Sequence, residues 1–136
     1  MSVEIKGIPE LTERLEKEYG RSAMIKKSDK ALVKASDYFV NELKTQFETF
    51  KDTGASIDEM HRSSPYTDRK DNQRAVMISW VGPHERNRLI HLNEHGYDRN
   101  GKKVVPRGFG AIEKTLEGTR EQYRSIVLEE LRKQHD

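Results

Sequence analysis

Residues 75–83, AVMISWVGP, decide how the rest of the chain is read. Strand alternation puts Val76, Ile78 and Trp80 on one face and Met77 and Val81 on the other. β-branched and aromatic side chains suit such a surface. Apolar residues on both faces point to a strand covered from two sides, by its own fold or by a partner chain. Gly82-Pro83 then stops it. A strand of this kind needs neighbours in the sheet and a layer over it, and the flanking sequence offers both.

Upstream, Ile25, Leu32, Phe39, Leu43, Phe47 and Phe50 recur at intervals of three, four and seven. That spacing is one stripe on a long helix over about 22–51. Core packing is the plain reading of its aromatics. Asp52-Thr53-Gly54 ends it. Earlier still, Leu11, Leu15 and Tyr19 stand four apart between Pro9, suited to a helix start, and Gly20, suited to its end. VEIKGIPE (3–10) alternates and then turns, so a short strand opens the chain.

Between the long helix and the decisive strand, residues 53–74 are polar and show no period. The reading is a loop, mobile alone or ordered on docking. Its Arg62, Arg69, Lys70 and Arg74 are interleaved with Asp68 and Asp71, which is no clean phosphate patch.

Downstream, RLIHLNEHGYD (88–98) reads as a second strand. Asn100-Gly101 is a strong hairpin signal, with KKVVP (102–106) as the return strand. From Phe109, the residues Ile112, Leu116, Tyr123, Ile126, Val127 and Leu131 trace a closing helix, weakened at Gly118. The expectation is α+β: a single domain over 1–136, with a small antiparallel sheet packed against a long helix and a C-terminal helix.

Composition narrows the function. Charged residues are 35% of the 136, so the core is modest and the surface soluble. Yet 25 basic and 23 acidic side chains leave only +2, far from the basic footprint of a dedicated nucleic-acid binder. With no cysteine there are no disulfides or thiolate zinc sites. No apolar run approaches a membrane span, and MSVEIKGIPEL lacks the regions of a signal peptide. A cytoplasmic origin and no membrane association are expected.

The most suggestive chemical motif is HLNEHGY, 91–97, which spells His91-x-x-Glu94-His95, the spacing of one class of zinc hydrolases. That chemistry needs a helix, where residues four apart share a side. On the expected strand, Glu94 points away from both histidines and cannot serve as their base. A third ligand would have to come from His84, His61 or Glu85, and no spacing specifies one. A His-Asn-His nuclease fails for a related reason, because its histidines lie far apart in sequence. There is no glycine-rich phosphate loop or nucleophile elbow, so no catalytic, cofactor or metal residues are assigned. What stands out is Glu94 itself, on the apolar face of its segment. A buried carboxylate needs a basic side chain or backbone N–H groups. Glu94 is therefore read as a structural or interface anchor.

The order of features resembles a family, the small proteins of tailed bacteriophages that act in head–tail joining, neck formation or tail completion. The matching features are Gly7, Leu11 and Leu15 after a first strand, and a long helix ending in Thr53-Gly54. They continue with a strand ending in Val81-Gly82-Pro83, an apolar segment leading to Glu94-His95-Gly96, and Pro106 and Phe109 before the last helix. The match departs from the family at ASIDEMHRSSPY (55–66) and at Tyr97. The resemblance implies a non-enzymatic assembly protein. It implies a ring-forming homo-oligomer placed at the virion's head–tail interface, between head-closure or connector proteins and tail-tube proteins. DNA would pass through the lumen unread. Made in the host cytoplasm, it would use Glu94, Gly96, Thr53, Gly54, Trp80, Gly82 and Pro83 as structural or interface residues.

Two other classes stand beside it. One is a small metal-dependent enzyme or nuclease centred on His84, His91 and His95. The other is a weak nucleic-acid-binding module using Arg86, Arg88, Lys102, Lys103 and Arg107, with salt-sensitive binding.

Overall fold

A computed structural model describes residues 2–48, 54–82, 90, 94–105 and 110–135, and statements of absence below concern these residues. The architecture is α+β, a small antiparallel sheet packed against a long helix and a C-terminal helix. The chain opens with β1 (Ser2–Lys6), α1 (Pro9–Tyr19) and α2 (Arg21–Glu48). A one-turn helix α3 (Ala55–Asp58) leads to β2 (Met60–Arg62), β3 (Tyr66–Thr67) and β4 (Arg74–Trp80). A separate two-stranded ribbon, β5 (Tyr97–Arg99) and β6 (Lys102–Val104), precedes the last helix, α4 (Ala111–His135).

AVMISWVGP does hold the centre. β4 pairs antiparallel with β1 on one side and with β2 and β3 on the other. The register sets Val3 beside Ile78, Ile5 beside Val76 and Met60 beside Trp80. All six are buried on the face that α2 covers with Leu32, Phe39, Leu43 and Phe47. Each such side chain contributes roughly 1.5–3 kcal/mol by leaving water. Phe47 stacks on Trp80, ring centroids 6.0 Å apart. The opposite face of β4 is only partly covered, and Val81 is 71% exposed.

Four expectations are corrected. The 53–74 loop contains α3, β2 and β3, and the two strands owe their order to pairing with β4 and not to local periodicity. It is interrupted once. Arg62 faces Ile78 and Tyr66 faces Ala75, so residues 63–65 oppose two residues of β4, a bulge. Pro65, which lacks an N–H, sits there, while Ser63 bridges the gap through both its N–H and its Oγ to Met77.

The expected strand at 88–98 is helical at Ile90, Glu94 and His95 and extended at Tyr97 and Asp98, while residues 88–89 and 91–93 lie outside the described residues. The α2 stripe begins at Met24, fully buried, with Ile25 only half-buried; Phe50 lies outside the described residues. On α4, Leu116 is 41% exposed, and Thr115 and Thr119 take core positions instead. Their hydroxyls donate to the carbonyls of Ala111 and Thr115, which makes burial tolerable. A smaller core of Ala31, Ala35 and Val127 joins α2 to α4, flanked by Ile8 and by Leu11 of the first helix.

Candidate functional site

Glu94 is 7% exposed and sits at the end of its helical segment. Its Oε1 accepts the N–H of Ile112 at 2.8 Å and its Oε2 accepts the N–H of Glu113 at 3.1 Å. Its carbonyl accepts the N–H of Gly110 at 3.0 Å. The first N–H groups of a helix have no partner within the helix, and that end carries the positive pole of the dipole. A carboxylate from a remote segment meets both needs. Glu94 thus caps α4 from outside.

Between the two ends of this joint the chain makes an excursion. Gly96 has φ 74°, a left-handed value that favours glycine and turns the chain out of the helical segment. The ribbon follows. Asn100 and Gly101 at φ 53° and 79° make the two-residue turn that matches strand twist. Tyr97, Asp98, Arg99, Lys102, Lys103 and Val105 are all exposed, and among the described residues the two strands pair only with each other. The result is an arm standing on a buried carboxylate.

The remaining named residues divide. Trp80 is a core residue stacked on Phe47. Gly82 lies where any Cβ would overlap the side chain of Glu59, itself only 6% exposed. Gly54, φ 85°, precedes the one-turn helix α3, and its carbonyl accepts from Ile57 and Asp58. Thr53 and Pro83 lie outside the described residues, as do His84, His91, Arg86, Arg88 and Arg107.

The helical setting of Glu94 and His95 removes the strand argument against a zinc hydrolase. A different observation bears on the motif: both Glu94 oxygens are turned onto the α4 terminus and engaged by backbone N–H groups. Among the described residues no three His, Asp or Glu side chains cluster for a metal. His61 is exposed on β2. No described helix is long and apolar enough to cross a membrane.

Sequence reasoning missed the clamps between sheet and helix. Arg74 grips Asp29 through two bonds, 2.9 and 2.7 Å, and donates to Thr67 Oγ1. Asp29 holds the Arg74 guanidinium's pKa up. Arg62 pairs with Asp37 two turns further along α2. Only the approach of separate elements reveals these pairs.

On the outer face of the sheet, Lys6 Nζ lies 2.6 Å from Asp71 and 2.9 Å from Asp68. Those hydrogen bonds raise its pKa, with Asp71 the larger cause. Asp71 is lowered chiefly by Lys6, and Asp68 chiefly by the Lys70 N–H. Tyr66 donates to Glu4; burial first, then that bond, pushes its phenol up to about 12. Tyr123 of α4 donates to the carbonyl of Lys6 at 2.8 Å, and burial pushes it up to about 12.

No family model, curated protein or solved structure matches the chain.

Proposed function

We propose that the chain is a structural assembly protein of the head–tail connection of a tailed phage or prophage. In this reading it acts without catalysis, as a ring-forming homo-oligomer in a neck or tail-completion position. Its partners are head-closure or connector proteins and tail-tube proteins, with DNA threading the ring. The ordered motifs from Gly7 to Phe109 are the basis of the resemblance. The observation that carries the reading here is the Glu94–Gly96 joint. A buried carboxylate locks α4 to the body while an exposed arm leaves it at Gly96. Investing a buried charge in the root of a two-stranded ribbon suits a protein whose ribbon meets a neighbour.

The near-balanced charge supports it too. A strongly basic lumen would hold DNA by its phosphates and slow passage, whereas +2 over the chain does not demand this. The test is co-sedimentation of the purified full chain with tails and with DNA-filled heads of its source phage, followed by electron microscopy. Binding at the joining end with ring density supports the reading. Failure to bind either particle rejects it.

A further inference from the structure

Among the described residues, the arm and the β1 edge of the sheet carry matching hydrogen-bonding edges that no strand fills. Gly7 donates to the carbonyl of Arg74, one step beyond the Lys6–Ala75 pair and in the same register. Antiparallel ladders alternate, so Ile5 and Val3 also bond inward, and the backbone groups of Lys6, Glu4 and Ser2 point outward. Among the described residues no strand pairs with that outer edge. At Lys6 the outward carbonyl is occupied by Tyr123. The open length is therefore the Ser2–Glu4 end.

The ribbon can be read the same way. A two-residue turn is closed by a hydrogen-bonded pair, here Arg99 and Lys102. The next pair, Asp98 and Lys103, then points its backbone outward, Asp98 from one edge and Lys103 from the other. A two-stranded ribbon is marginal in water and gains from a third strand.

We infer that β6 of one copy adds antiparallel to the outer edge of β1 in a second copy, with Lys103 directly opposite Glu4. Charge selects this pairing. β6 sets a lysine against Glu4, a favourable cross-strand pair. β5 would set Asp98 there, a repulsive one. The same register places Val104 beside Val3, apolar against apolar. It places the turn residue Gly101 beside Lys6, where Tyr123 already ends the open edge. The contact is heterologous, arm to edge, so each copy offers both halves and repetition yields a ring or an open helix. The inference rests on the proposed ring-forming role and names its interface.

The chain has no cysteine, which permits a clean test. Glu4→Cys and Lys103→Cys chains are mixed at high concentration under mild oxidation. Directly opposed hydrogen-bonded residues stand about 5.5 Å apart at Cα, within disulfide reach. A disulfide between positions 4 and 103, identified by mass spectrometry, is the expected product. When Asp98→Cys replaces Lys103→Cys in the mixture, the Glu4–Asp98 repulsion is gone, but β5 still sets Arg99 instead of Val104 beside Val3, so the disulfide between positions 4 and 98 should form less. Lys103→Glu should weaken self-association by roughly two- to five-fold, and Glu4→Lys on the same chain should restore it. Lys103→Pro, which removes the outward N–H, should weaken it as well. Equal cross-linking at 98, no cross-linking, or association indifferent to both Lys103 variants overturns the inference. If the cross-linking and self-association results overturn the interface while the unaltered chain still forms rings on heads or tails, the interface is wrong and the proposed function stands. If the unaltered chain forms none there, the proposed function fails.

Discussion

Glu94 and Ile112 are joined by a buried hydrogen bond of 2.8 Å, carboxylate to backbone N–H, across eighteen positions of chain. Glu94→Gln keeps the size but has one acceptor and an N–H2 group where two N–H donors converge. It should lower stability by about 1–3 kcal/mol in denaturant unfolding. Glu94→Ala should lower it by at least as much. An unchanged midpoint for both would remove Glu94 as the anchor of α4.

Tyr123→Phe should lose about 1 kcal/mol near neutral pH, since the Lys6 carbonyl loses its donor. The alkaline limb is more telling. The folded phenol is pushed from 10.0 up to about 12 by burial. Below pH 10 both states keep the proton and its stabilisation is complete. From there to about pH 12 the unfolded chain ionises first and stability falls, by an upper bound of about 2–3 kcal/mol. The Phe variant should lack that part of the decline in pH-dependent unfolding curves.

Gly82→Ala should destabilise by roughly 1–3 kcal/mol, because the new Cβ overlaps the buried Glu59 side chain. Gly118→Ala is the control. A Cβ at Gly118 meets nothing within 4 Å, and removing a mid-helix glycine should stabilise by about 0.5–1 kcal/mol. Thermal melts of the two variants should move in opposite directions.

A double-mutant cycle on Arg74 and Asp29 should return a coupling of about 1 kcal/mol, given a two-bond geometry on side chains only 15% and 23% exposed. The same cycle on Lys17 and Glu13, both well exposed, should return little. Equal couplings would mean that the clamp does not fasten sheet to helix.

These contacts show what a sequence of this kind displays and what it hides. β4 and α2 were legible because each is long enough for its period to show in Val76, Ile78 and Trp80, and in Leu32, Phe39, Leu43 and Phe47. The hairpin turn was legible because Asn100-Gly101 is a local code. Glu94 stood out as a carboxylate among apolar residues, yet its partners lie on an element that approaches only in the fold. At Glu94 and His95 the helical setting was hidden because a few residues are too short for a period, and the strand signal just after them at Tyr97 spread backward. β2 and β3 were hidden because β4, not their own residues, orders them. Thr115 and Thr119 were hidden because a hydroxyl that bonds its own helix can sit where a methyl would.

The joint at Glu94 and Gly110 also separates what the body needs from what the arm is free to become. Because the chain leaves and returns across one 3.0 Å hydrogen bond, the excursion is already a closed loop. Doubling its length would add only about 0.6 kcal/mol of closure entropy. Arm length and composition can therefore drift among descendants, or be exchanged by design, while α4 keeps its cap. What the arm presents to solvent becomes a trait that can change on its own clock.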